Sequence, residues 1–229
     1  MMEEIKYKVV KSKRKTVSIT INSLGEVIIK APHNITNKDI ENILDKRKGW
    51  ILKNLDKISN RKSLSDDEIL YLGKIYKVRI LIQPFLKREF ITLLDEEIII
   101  SLKKKENEKI VLVKWLKSQC EIKIKSSINK YLPMFNVLPK NILIKDHKSK
   151  WGSCTYDNRL NFNYRLIMAP EEILEYVVVH ELCHMVFKNH SKEYWDFVKN
   201  IMPKYKINHN WLKENGYILY NIKKTSLIS

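Results

Sequence analysis

Apolar and polar positions alternate in some stretches of the chain and repeat at helical spacing in others, and the two patterns divide it. Between residues 5 and 30, Val17, Ile19 and Ile21 alternate with Ser18 and Thr20. A period of two marks a strand, Asn22-Ser23-Leu24-Gly25 supplies a turn, and Glu26-Val27-Ile28-Ile29 supplies the return strand. Pro32 ends the hairpin, and Thr36 or Asn37 caps a helix expected over 38–58. There Ile40, Ile43, Leu44, Trp50, Ile51 and Leu55 share one face with Arg47. A polar link of Ser, Lys and Asp follows at 59–68. Three β-type runs come next, Lys74–Ile82, Phe90–Leu94 and Glu97–Leu102, with a turn at Leu94-Asp95-Glu96. After a charged break at 103–107, an amphipathic helix runs through Ile110, Val113, Trp115, Leu116, Ile122 and Ile124 to about Tyr131, and Pro133 stops it.

The second half carries the unusual pattern. Asn141–Lys145 reads as a short strand, and Leu160, Phe162 and Tyr164 alternate with Asn161, Asn163 and Arg165 in a half-buried one. Residues 159–166 are expected to border a cleft and align an extended substrate by main-chain pairing. Ala169-Pro170-Glu171-Glu172 then has the composition of a helix start, with two acids against the positive end of the dipole. The apolar stripe Ile173, Leu174, Val177 and Val178 continues at helical spacing onto Glu181, His184 and Met185. A carboxylate and an imidazole thus fall on a face that ought to be apolar. Burying them unpaired costs about 2–7 kcal/mol for a neutral polar group and more for a charge, so something must compensate them, and a divalent cation does.

The residues for such a cation are present. In His180-Glu181-Leu182-Cys183-His184 the two histidines lie four apart on one helical face, and Glu181 is placed to reach a water without being a ligand. His190 is the expected third ligand, with Glu193 and Glu214 as alternatives that lose to it on spacing. On a straight helix His190 would sit about 15 Å beyond His180, so the chain must turn first. Lys188-Asn189 is the expected turn, because asparagine tolerates the left-handed conformation, and Ser191 caps the next helix over 191–202. A last helix is expected over 208–215. His209 on it reads as a surface histidine, with fourth ligand and transition-state donor as its alternatives.

Several of these pieces together resemble one family. Lys150-Trp151-Gly152-Ser153-Cys154, the run from Leu160 to Pro170, Tyr176-Val177-Val178-Val179-His180-Glu181-Leu182 and Asn189-His190-Ser191 with Tyr194-Trp195 look like the YgjP-like metallopeptidases, relatives of the SprT-like zincins. Upstream, Trp50-Ile51 and Tyr71-Leu72-Gly73-Lys74-Ile75-Tyr76 resemble the family's amino-terminal region. The resemblance implies an α+β fold, with a zincin-like metallopeptidase domain over 106–229 and a β-rich amino-terminal region with one helix over 1–105. It also implies a scaffold helix behind the metal-bearing one. The expected activity is zinc-dependent hydrolysis of peptide bonds. Zn2+ held by His180, His184 and His190 keeps one position for water, and Glu181 takes that water's proton. Tyr164, Arg165, Tyr205 and His209 are the candidates for a second oxyanion donor. Two other readings share the residues: a SprT-like protease acting on nucleic-acid-bound proteins, and a non-catalytic zinc-stabilised nucleic-acid-binding module.

Composition bounds the setting. The 229 residues are 44% apolar, enough for a real core, and carry a net charge of +17. Such a field favours anionic partners, so nucleic acid joins the peptide or protein substrate as a candidate partner, although dispersed lysines also serve as a solvated surface. No apolar run approaches a membrane span, and Met1-Met2-Glu3-Glu4-Ile5-Lys6 lacks the apolar core of a signal peptide, so no membrane association and a cytoplasmic location are expected. Cys120, Cys154 and Cys183 are an odd set without paired spacing, which argues against a disulfide framework. Cys120 and Cys183 read as core.

Overall fold

The computed structural model describes residues 5–21, 25–59 and 64–220. The expected turn at Asn22-Ser23-Leu24 and the middle of the polar link, 60–63, lie outside these residues. The chain forms two compact units, Met1–Ser63 and Leu64–Ser229. Among the described residues no helix is long and apolar enough to cross a membrane.

In the first unit β1 (Tyr7–Ser12), β2 (Ser18–Ile21) and β3 (Val27–Pro32) make a sheet of order β1-β3-β2. The expected hairpin is present as β2 against β3, with Ile19 opposite Ile29. Helix α1 (Asn37–Ser59) starts with a capping box, in which the Thr36 hydroxyl accepts from the Asp39 N–H at 3.2 Å and Asp39 accepts from the Thr36 N–H at 3.1 Å. Its apolar face, Ile40, Leu44 and Ile51, closes over Val27, Ile29 and Ala31 of β3.

The second unit opens with β4 (Glu68–Tyr71), β5 (Lys74–Ile82), β6 (Phe90–Leu94) and β7 (Glu97–Leu102), in the order β4-β5-β7-β6. The sequence reading places the domain boundary at 105/106, whereas the structure divides the chain at 63/64. The reason is burial: Ile98, Ile100 and Leu102 of β7 are fully buried in the same core as Leu116, Val178 and Leu182. β4 lies at the end of what read as a polar link, and pairing with β5 makes it a strand. The β4–β5 turn needs positive φ at Leu72 and Gly73. It also docks on the second half of the unit, with the Leu72 N–H bound to the Ile167 carbonyl at 2.8 Å and the Gly73 N–H to that of Met168 at 3.2 Å. A Cβ on Gly73 would stand 2.9 Å from the Pro170 backbone, so the turn fits closely under the start of the next helix.

That helix, α3 (Glu171–Val186), packs against α2 (Glu108–Tyr131). Lys130 and the Tyr131 hydroxyl both reach Glu175, at 2.7 and 2.8 Å. A third sheet of order β8-β10-β9 is formed by β8 (Asn141–Lys145), β9 (Gly152–Cys154) and β10 (Arg159–Asn163). Here the structure corrects the substrate-aligning role given to 159–166. β10 is the inner strand, paired parallel with β8 and antiparallel with β9, so its main chain has no free edge. Its asparagines are interior too. Asn161 donates to the Ser153 hydroxyl at 3.3 Å, and Asn163 donates to the carbonyls of His147 and Lys150 at 2.8 and 3.0 Å, pinning the loop that leads into β9. The strands on the edges are β8 and β9.

Candidate metal centre

Helix α3 is buried almost all round, and His180, Glu181 and His184 lie on its last two turns. The helix ends at Val186, and Phe187 is extended, with φ −116° and ψ 111°. Contrary to expectation, Asn189 is not left-handed, since the positive-φ residues other than glycine among the described residues are Leu72, Asp95 and Asn158. The turn is made by leaving the helix in an extended conformation, which costs no strain. Ser191 then caps α4 (Lys192–Ile201) as expected, accepting from the Tyr194 N–H at 3.4 Å. This path returns His190 to the helix face. Its ring stacks on Trp195 at 5.4 Å and 18°, and Trp195 stacks on Tyr205 at 5.4 Å and 19°.

The three imidazoles meet. His190 Nε2 is 3.1 Å from His184 Nε2 and 3.2 Å from His180 Nε2, and one ligand atom from each ring lies within 4.8 Å of the others. Their outer nitrogens are already committed. The Phe187 carbonyl, 3.0 Å from His184 Nδ1, has only lone pairs, so that nitrogen carries the proton. The Tyr194 hydroxyl donates to the His180 carbonyl at 3.1 Å and so accepts from His180 Nδ1 at 2.7 Å. Both assignments leave Nε2 as a bare lone pair facing the centre. A single proton on His190 cannot satisfy both, whereas a cation satisfies all three. At a metal–nitrogen distance of about 2.0–2.1 Å, a tetrahedral ion sets its ligand nitrogens about 3.3–3.4 Å apart, close to the spacings found. The donor set therefore fits a small divalent metal, with Phe187 and Tyr194 orienting the rings from behind. Burial and the neighbouring imidazoles push His180 down to about 3, which keeps its ring neutral.

Glu181 is only 4% exposed. The Cys154 N–H of β9 lies near its carboxylate. Burial pushes its carboxyl up to about 8, against the opposing pull of Lys150 and that N–H. Gly152 gives it room: a Cβ there would lie 2.5 Å from Glu181 Oε1 and 2.7 Å from Cγ.

A cleft of about 360 Å³ opens beside these groups, walled by Trp151, Gly152, Tyr176, His180, Glu181 and His209. His209 lies on α5 (Tyr205–Asn215), exposed as the sequence reading expects, and it also lines the cleft, with its Nδ1 3.1 Å from the Tyr176 hydroxyl. The other donor candidates are engaged elsewhere. Tyr164 is buried beneath the Arg165 guanidinium, Arg165 pairs with Asp146, and Tyr205 lies under Trp195. The sequence reading gave neither Tyr176 nor Tyr194 a role at the site. Tyr176 shared the face of His180 and His184 at the same spacing of four, a pattern that could have found it. Cys120 and Cys183 are buried, as expected, and burial pushes both thiols up to about 12.

Comparison with known proteins bears on this arrangement. The model of the YgjP-like, metallopeptidase domain, family matches residues 15–215. The crystal structure of the metallopeptidase zymogen of Methanocaldococcus jannaschii jannalysin is similar at 30% identity, covering 39% of this chain and 91% of that one, with a TM-score of 0.34. No curated protein matches the sequence.

Proposed function

From the premise that the chain belongs to the YgjP-like metallopeptidase family, we propose that it is a zinc peptidase in which His180, His184 and His190 hold the ion and Glu181 is the general base. The observation that carries this reading is the pair of bare Nε2 lone pairs converging with a third imidazole beside a buried carboxylate. The same convergence supports the zincin-like reading of the second unit. When bound, zinc supplies Lewis acidity, lowering the pKa of a water from about 15.7 towards 7 and polarising the carbonyl to be attacked.

The chain's own residues do the rest. Glu181 takes the proton of the attacking water, holds it in a pocket that excludes solvent, and passes it to the departing amine nitrogen as the C–N bond breaks. Gly152 leaves the space in which the carboxylate sits. Among the described residues β9 pairs with β10 alone, and its other side, next to Glu181, is where we place an extended peptide, the role first assigned to β10. Trp151 and the Tyr176–His209 pair wall the cleft on either side of that path. A purely structural zinc site would call for a fourth protein ligand, and among the described residues the cluster has three members.

Glu181→Gln decides the matter. The amide keeps the shape of the side chain and cannot accept a proton, so the variant should bind one zinc per chain and lose at least 10²-fold in kcat on a quenched-fluorescence peptide library. Equal turnover by the two proteins would overturn the assignment.

A further inference from the structure

Attack on a peptide carbonyl places negative charge on its oxygen, and a metal ion is one partner for that charge. A second, preorganised donor is worth about 10²–10³ in kcat in such sites. We propose that His209 is that donor and that Tyr176 positions it, a conclusion that rests on the peptidase reading above.

Of the polar side chains first considered for this role, His209 alone reaches the cleft; the other three are spent on burial, an ion pair and a ring stack. It shares the cleft wall with His180 and Glu181 and yet lies outside the three-imidazole cluster, so it is free to face a substrate atom. Its backbone is held in place. The neighbouring Asn208 is buried and donates to the Glu172 carbonyl at 3.3 Å, tying α5 to the first turn of α3. Trp195 meets the His209 ring edge-on at 6.2 Å and 81°, and Tyr176 does so at 6.2 Å and 86°.

The hydrogen bond to Tyr176 decides what the ring can do. A phenol keeps its proton at neutral pH, and the Tyr176 hydroxyl lies 3.1 Å from His209 Nδ1. When the hydroxyl donates, Nδ1 must be the bare nitrogen, and the one proton of the neutral ring sits on Nε2 at the ring's other edge. The ring then offers a donor to an oxyanion, not a second base competing with Glu181. Tyr176 stands one helical turn before His180, with ring centroids 5.9 Å apart, so α3 sets the distance between this donor and the metal ligands. Lys150 lines the same cleft and is the rival donor.

The test uses the zinc-loaded full chain and, in parallel, the metal-free chain. His209→Ala should lower kcat about 10²-fold on a peptide substrate, with KM changed less than threefold and zinc content unchanged. His209→Gln, whose amide also donates, should recover about a tenth of the lost rate. A phosphonate peptide, a tetrahedral mimic of the attacked carbonyl, should lose affinity for His209→Ala by the factor lost in kcat/KM. An uncleaved peptide bound to Glu181→Gln should keep its Kd when His209→Ala is added. In metal-free protein, two-bond 1H–15N spectra should show His209 as the Nε2–H tautomer, and Tyr176→Phe should convert it to a mixture while lowering kcat about tenfold in the loaded enzyme. The proposal is overturned by the Nδ1–H tautomer, by unchanged kcat in His209→Ala, or by a rate loss that follows Lys150→Met instead. A wild-type chain inactive on every peptide refutes the peptidase reading and this donor with it, whereas an active wild type beside an unimpaired His209→Ala refutes the donor alone.

Discussion

Replacing Gly152 by alanine isolates the placement of Glu181 from everything else in the site. The φ of Gly152 lies outside the left-handed range, so alanine brings no backbone strain and only the added methyl matters. That methyl would stand 2.5 Å from Glu181 Oε1, 2.7 Å from Cγ and 2.8 Å from Cδ, where ordinary contact begins near 3.4 Å. Rotating the carboxylate tip cannot relieve all three clashes, because the side chain is 4% exposed. Either the carboxylate or β9 must move by about 1 Å. Misplacement of that size costs about 10²-fold in rate, and overpacking of this kind costs about 1–3 kcal/mol in stability. The three imidazoles are untouched, so zinc stoichiometry and affinity should stay at wild-type values. Because the rate loss acts through Glu181, it should vanish on the Glu181→Gln background, where the proton acceptor is already gone. The assay is kcat/KM on a quenched-fluorescence peptide for the four members of this cycle, with metal content by mass spectrometry and Tm by calorimetry. Wild-type turnover in Gly152→Ala, or an equal further loss when it is combined with Glu181→Gln, would refute the placement argument.

Two further outcomes follow from the groups behind the centre. Tyr194→Phe removes the acceptor 2.7 Å from His180 Nδ1 without changing the shape of a fully buried ring, and zinc affinity measured against a competing chelator should fall about 10–100-fold, with kcat at saturating zinc changed far less. In chelator, the Glu181 carboxyl sits at about 8 in the folded chain against an ordinary 4.5, so its protonated form contributes stability that is full below about pH 4.5 and lost as pH rises through 8. His180 titrates in the opposite sense at lower pH, so the informative quantity is the gap between metal-free wild type and metal-free Glu181→Gln. That gap should widen in favour of the glutamine variant by up to a few kcal/mol between pH 5 and 9 in urea melts, and a gap independent of pH would count against the burial argument.

Periodicity made part of this molecule readable. β5, β6 and β7 occupy the runs read from the sequence, because alternation and turn residues are local properties. The meeting of His180, His184 and His190 was legible for a similar reason: four residues on a helix fix two rings, and a short excursion can return a third. Strand order was not legible. Leu160-Asn161-Phe162-Asn163 looks like a strand with one wet face, and only long-range pairing with β8 and β9 reveals that its asparagines are interior. The division at 63/64 falls inside the polar link read at 59–68, but the core that β7 joins was hidden, since nothing local in it tells where Ile98 and Ile100 will pack. The supporting groups at the centre escaped for a third reason. A tyrosine that orients a ring and a tyrosine that fills space are the same residue at the same spacing, and what separates Tyr194 and Tyr176 from packing is what their hydroxyls touch, His180 for the first and His209 for the second.

That difference bears on how the site is built. The three imidazoles sit at and just past the end of α3, but each restraint on them comes from a different neighbour: the Phe187 carbonyl for His184, Tyr194 of α4 for His180, and Trp195 for His190. Glu181 packs closely on Gly152 of β9, and His209 meets Tyr176 of α3 itself. The helix carries His180, Glu181 and His184, and the segments packed around it meet their side chains. α3 in turn starts where it does because the β4–β5 turn latches onto Ile167 and Met168 and fits beneath Pro170. Displacing that turn would shift Tyr176, His180 and His184 together along one rigid element while leaving Tyr194 and the Cys154 N–H behind. Damage at Gly73 should therefore reach the centre as misalignment between the rings and the groups that orient them, although no atom of Gly73 touches the cleft.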